Sequence, residues 1–82
     1  MSRHEKLLAQ LRNPKSTMTW GDLVTLLAGL GYRQLEGSGS RVKFAHDSAA
    51  PISLHRPHPG NEIKAYVKRL VLEHLNEGGM KP

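Results

Sequence analysis

The feature that most constrains this chain is a short alternation near its middle. Ser40 to His46 places Val42 and Phe44 between Arg41, Lys43 and Ala45. Successive side chains of a strand point to opposite faces, so a strand here has one apolar and one cationic face. Ile52-Ser53-Leu54-His55 alternates again after a turn at Asp47 to Pro51. Tyr32 to Leu35, short and mixed, predicts an edge strand ahead of the turn Gly37-Ser38-Gly39. The sum is a three-stranded antiparallel meander. Val42, Phe44, Ile52 and Leu54 line one face; Arg41, Lys43, Ser53 and His55 line the other. Such a sheet folds only if something covers its apolar side.

Helices on either side of the meander can supply the cover. Before it, Thr19 as cap and Asp22 three residues on give a capping box, and Met18 with Leu23 gives a hydrophobic staple. Trp20, Leu23, Leu27 and Leu30 recur at helical spacing, widened by Val24 and Leu26. This pattern places Trp20 in packing, and Gly31 reverses the chain. After the meander, two prolines in His55-Arg56-Pro57-His58-Pro59-Gly60 forbid a central strand. A second long helix is predicted from a cap near Asn61, with Glu62 at the positive end of its dipole. Its inward stripe is Ile63, Val67, Leu70, Val71 and His74-Leu75. Tyr66 borders the stripe, Lys64 and Lys68 lie on the outer side, and Gly78-Gly79 ends the helix. A short leading helix, Arg3 to about Arg12, is capped by Ser2, carries Leu7, Leu8 and Leu11 on one stripe, and stops at Asn13-Pro14. The expectation is an α+β two-layer domain over residues 16–79, with residues 1–15 as leading helix and connector and 80–82 as a loose end.

The chain has 82 residues, enough for one small core of marginal size, and Cys 0, which removes disulfides, thiolate chemistry and cysteine zinc sites. No apolar run approaches the ~20 residues of a membrane span. With no secretory pattern at the start, a cytoplasmic location is expected. Lys and Arg exceed Asp and Glu by 12 to 7, a net +5 spread over the chain. That excess favours a polyanionic partner.

The glycine turn at 37–40 lacks a Gly-Lys-Ser/Thr ending and runs into a strand, so it is a hairpin turn and no phosphate loop. Histidines 46, 55, 58 and 74 show none of the usual zinc spacings. His74, on the apolar stripe, reads as a histidine hydrogen-bonded to the chain. No metal and no cofactor are expected. What remains is a basic cluster of Arg33, Arg41, Lys43, His55, Arg56 and His58, extended by Lys64 and Lys68. Such a surface suits RNA phosphate contacts.

Two stretches carry a resemblance to a known family. One is Leu30-Gly31-Tyr32 followed by the Gly-Ser turn and Gly39-Ser40-Arg41-Val42-Lys43-Phe44. The other is Arg56-Pro57-His58-Pro59-Gly60-Asn61-Glu62-Ile63-Lys64. Over roughly Trp20 to Gly79 the chain resembles the HicA toxins of type II toxin–antitoxin systems. The resemblance implies a double-stranded-RNA-binding-like fold, α-β-β-β-α, here with an added N-terminal helix. It implies an mRNA interferase, a metal-independent endoribonuclease acting without the ribosome, and a neutralising HicB-type antitoxin.

The family's chemistry uses a histidine at the start of the central strand. Aligning Gly39-Ser40 with the family turn puts Val42 at that position. Aligning the inward residues puts Arg41 there, and a third register puts Ser40. None is histidine, and arginine does not deprotonate near neutral pH. Cleavage is therefore expected to be absent or much slower than in an intact member, with His55 and His58 the candidate substitute bases. The alternative is an inactive module that binds a HicB-type antitoxin or another protein.

Overall fold

Burial of one side of the central strand organises the chain. The computed structural model describes residues 3–37, 39–57 and 60–77. The elements are α1 (Arg3–Arg12), α2 (Trp20–Gly29), β1 (Arg33–Glu36), β2 (Arg41–Ala45), β3 (Ile52–His55) and α3 (Ala65–Glu77). The sheet is antiparallel in the order β1-β2-β3. Val42, Phe44, Ile52 and Leu54 are all buried, as their alternation requires. Ser2, Ser38, His58, Gly78 and Gly79, to which the sequence assigned a cap, a turn, a site residue and a helix stop, lie outside the described residues.

Helix α2 starts and ends as its residues dictate. The Thr19 hydroxyl accepts from the Asp22 N–H at 3.1 Å, satisfying one of the donors a helix start leaves open. At the other end Gly31, at φ 97°, donates to Ala28 while Tyr32 donates to the Leu27 carbonyl at 3.0 Å. These two bonds form a Schellman turn. They also explain why β1 begins at Arg33, one residue later than the sequence suggests: the Tyr32 N–H is spent closing the helix. The Tyr32 side chain is buried there. A Cβ on Gly31 would lie 2.9 Å from the His46 ring, so this position is closed to larger residues.

Helices α2 and α3 pack on β1 and β3 respectively, while α1 packs on α2 and α3. The Trp20 ring meets Phe44 at 5.9 Å in a tilted arrangement, so the tryptophan packs as expected. Leu7 and Leu11 of α1 join the same core. The leading helix thus enlarges a core that a chain of this length can barely supply.

The last helix departs from the sequence reading in two ways. It begins at Ala65, not near Asn61, because residues 61–63 are drawn into an extended bridge with Met18–Trp20. Trp20 donates to the Asn61 carbonyl at 2.6 Å and Ile63 to the Met18 carbonyl at 2.9 Å. The helix's expected stripe keeps Val71 and Leu75 buried but differs at two positions. Lys68 is only 4 % exposed, whereas Leu70, assigned to the core, is 49 % exposed. Two backbone carbonyls, of Asn13 and Ser16, hold the lysine amine inside.

Phe44 is almost fully buried at the centre of the sheet. Phe44→Ala should cost about 3–5 kcal/mol through lost transfer energy and the cavity left behind, a large share of a small domain's stability. Urea unfolding of variant and parent measures it; equal midpoints would refute this packing.

Candidate functional site

Among the described residues no helix covers the face of the sheet opposite the core. Residues paired across strands share a face, so register alone lays out its surface. Arg41 pairs with His55, Lys43 lies between Leu35 and Ser53, and Arg33 pairs with Ala45. Arg41, Lys43, Ser53 and His55 are exposed. Neither Arg41 nor Lys43 has a carboxylate partner among the described residues. Two cations one strand-repeat apart therefore face solvent beside an imidazole.

The hairpin end of this face is held by backbone bonds. Gly37 donates to the Arg41 carbonyl and Arg56 to that of Ser40, both at 2.9 Å. A Cβ at Gly37 would approach the Arg41 oxygen to 2.8 Å, so the tight return requires glycine. The Ser40 hydroxyl lies 3.4 Å from His55 Nδ1. Of the three positions that could match the family histidine, Val42 is fully buried in the core, Arg41 pairs with His55 on the open face, and Ser40 is exposed in the turn with its hydroxyl near His55.

The structure divides the rest of the expected cluster. Arg33 is on the open face but bound to Asp47 at 3.0 Å. Arg56 forms an ion pair with Glu36. Glu36 pairs in register with buried Val42, so this ion pair borders the helix side of the sheet, away from Arg41 and Lys43. Lys64 is exposed at the start of α3. Lys68 is not on the outer side as expected: its amine donates to the carbonyls of Asn13 at 2.6 Å and Ser16 at 2.5 Å. His58 lies outside the described residues.

His46 and His74 bond to the backbone. His46 Nδ1 accepts from the Ser48 N–H at 2.9 Å, which leaves Nε2 as the donor to the Leu30 carbonyl at 3.0 Å, with the ring against Tyr32. His74 Nε2 is 2.8 Å from the Ala50 carbonyl, tying α3 to the β2–β3 turn. Among the described residues no group of three or more histidine or carboxylate side chains is placed to hold a metal. No helix among them is long and apolar enough to cross a membrane.

One surface feature escaped the sequence reading. A cleft of about 300 Å³ opens between the end of β3 and the start of α3, with His55, Arg56, Glu62, Lys64 and Tyr66 among its lining residues. Tyr66, expected to border the core, is 65 % exposed.

In comparison with known proteins, the family model for the HicA toxin of bacterial toxin–antitoxin systems matches residues 20–76. No curated protein and no solved structure matches. The matched span contains all three strands, α2 and nearly all of α3, and leaves α1 outside.

Burial pushes the Lys68 amine below the ordinary lysine value of 10.5. The folded chain then releases that proton earlier than the unfolded chain, so this group makes stability rise with pH up to about 10.5. Tyr32 acts in the opposite sense: burial holds its phenol above 10.0, and stability falls as pH climbs past that value. Lys68→Met should lose about 1–3 kcal/mol near neutral pH, because the Asn13 and Ser16 carbonyls lose their donor. The gap between parent and variant should widen from about pH 8 to about pH 10. Urea midpoints at the two pH values check this, and a variant as stable as the parent at both would contradict the buried clamp.

Proposed function

The chain belongs to the HicA toxin family, and from that premise we propose that it acts on RNA, holding the phosphate backbone against the open face of its sheet. The observation that carries this reading is the exposure of Arg41 and Lys43 on a face without a helix. Each cation there can exchange condensed counterions for phosphate contacts. The element order fits a double-stranded-RNA-binding-like fold, and a HicB-type antitoxin is the expected neutralising partner.

In this reading binding dominates and cleavage is absent or slow. Ser40, Arg41 and Val42 stand at the turn and the start of β2, so no imidazole stands where the family's chemistry needs one. His55, in register with Arg41, is the nearest substitute. For cleavage, its unprotonated nitrogen takes the proton of a ribose 2′-hydroxyl as that oxygen bonds to phosphorus. The 5′-oxygen leaves and is protonated from solvent, and a 2′,3′-cyclic phosphate remains. Arg41 stabilises the negative charge gathered on the phosphoryl oxygens.

Parent, Lys43→Ala, His55→Ala and Arg41→His, assayed for binding and cleavage on the same RNA, test both parts. Lys43→Ala should weaken different RNAs by similar factors and reduce the salt slope of affinity by about one unit or less. His55→Ala should remove any residual cleavage, and Arg41→His should raise it at similar affinity. Affinity indifferent to salt would overturn the interface, and parental cleavage that survives His55→Ala would overturn the role of His55.

A further inference from the structure

The cleft beside the open face has a composition of its own. Pro57, Ile63, Val67 and Tyr66 give it apolar and aromatic walls, Glu62 places a carboxylate in its lining, and Lys64 adds positive charge, Arg56 being paired with Glu36. Apolar walls and a carboxylate disfavour a phosphate group. A flat heteroaromatic ring with N–H donors at its edge suits both, while Lys64 suits a phosphate attached to such a ring. The volume of about 300 Å³ is at the small end of ligand clefts, the scale of one base and not of a helix.

Continuity with the sheet makes the cleft more than a separate hollow. His55 belongs to both: it pairs with Arg41 on the open face and lines the cleft. A strand of nucleic acid lying on Arg41 and Lys43 therefore meets the cleft at the β3 edge. A base paired within a duplex cannot turn into it without unpairing, whereas an unpaired base is free to do so. Tyr66, largely exposed, supplies the ring on which such a base can stack.

We infer that this cleft seats one unpaired base of an RNA whose neighbouring phosphates lie on Arg41 and Lys43, so that single-stranded RNA is the preferred substrate class. This rests on the RNA reading above and adds a base subsite to it. The sheet face supplies affinity without regard to sequence; the cleft selects for single strands.

A fluorescein-labelled RNA of mixed sequence, presented single-stranded or annealed to its complement, is titrated with parent, Tyr66→Ala, Tyr66→Phe and Leu70→Ala. The parent should bind the single strand more tightly than the duplex. Tyr66→Ala should weaken the single strand about tenfold and leave the duplex and the salt slope unchanged. Tyr66→Phe, which keeps the ring, should stay close to the parent. Leu70→Ala, an exposed apolar residue outside the cleft, should change neither. Salt-dependent binding with equal affinity for both forms, or single-strand affinity indifferent to Tyr66→Ala, overturns the cleft assignment and leaves the sheet face standing. A parent that binds neither form overturns both.

Discussion

The inward packing of Val42 and Phe44 is the constraint on which the other features depend. Both side chains are buried, and a strand has only two faces, so Arg41 and Lys43 must project to the opposite side. A slip of one residue would bury two cations and expose the phenylalanine, which makes this register strongly specified. Because β3 pairs with β2, the same commitment puts His55 opposite Arg41 and Ser53 opposite Lys43. The open face is thus a consequence of the core. Its cations need no separate device to hold them outward.

A second commitment is made on the helix side. Lys68 of α3 reaches two carbonyls of the α1–α2 connector, joining segments more than fifty residues apart in sequence. Burying an amine is costly, and the two charge-assisted bonds offset that cost. The contact ties the leading helix, whose Leu7 and Leu11 enter the core, to the last one. It also removes one cation from the surface of a basic chain, so net charge overstates what is available for an anionic partner. The ion pairs of Arg33 with Asp47 and Arg56 with Glu36 reduce it further.

Features with a short repeat were legible in the sequence. The two-residue alternation revealed the faces of β2 and β3, and the cap, staple and spacing of α2 marked that helix from Trp20 to its glycine reversal. Features set by distant partners were not. The bridge of residues 61–63 with Met18–Trp20 delays the start of α3, and no local pattern signals it. Lys68 looked solvated because lysine usually is; only the two connector carbonyls make burial tolerable. Sequence proximity groups Arg56 with the strand cations, but its partner Glu36 lies twenty residues away, on the other side of the sheet. The cleft beside Tyr66 is built from two segments and has no signature in either.

The central claim is that RNA lies on the helix-free face of the sheet, and mapping amide chemical shifts tests it most directly. Isotope-labelled protein titrated with single-stranded RNA at low salt should show its largest changes along Arg41–Ala45 and Ser53–His55, with α1 and α2 nearly unmoved. Changes concentrated on α1 and α2, with β2 silent at saturation, would contradict it.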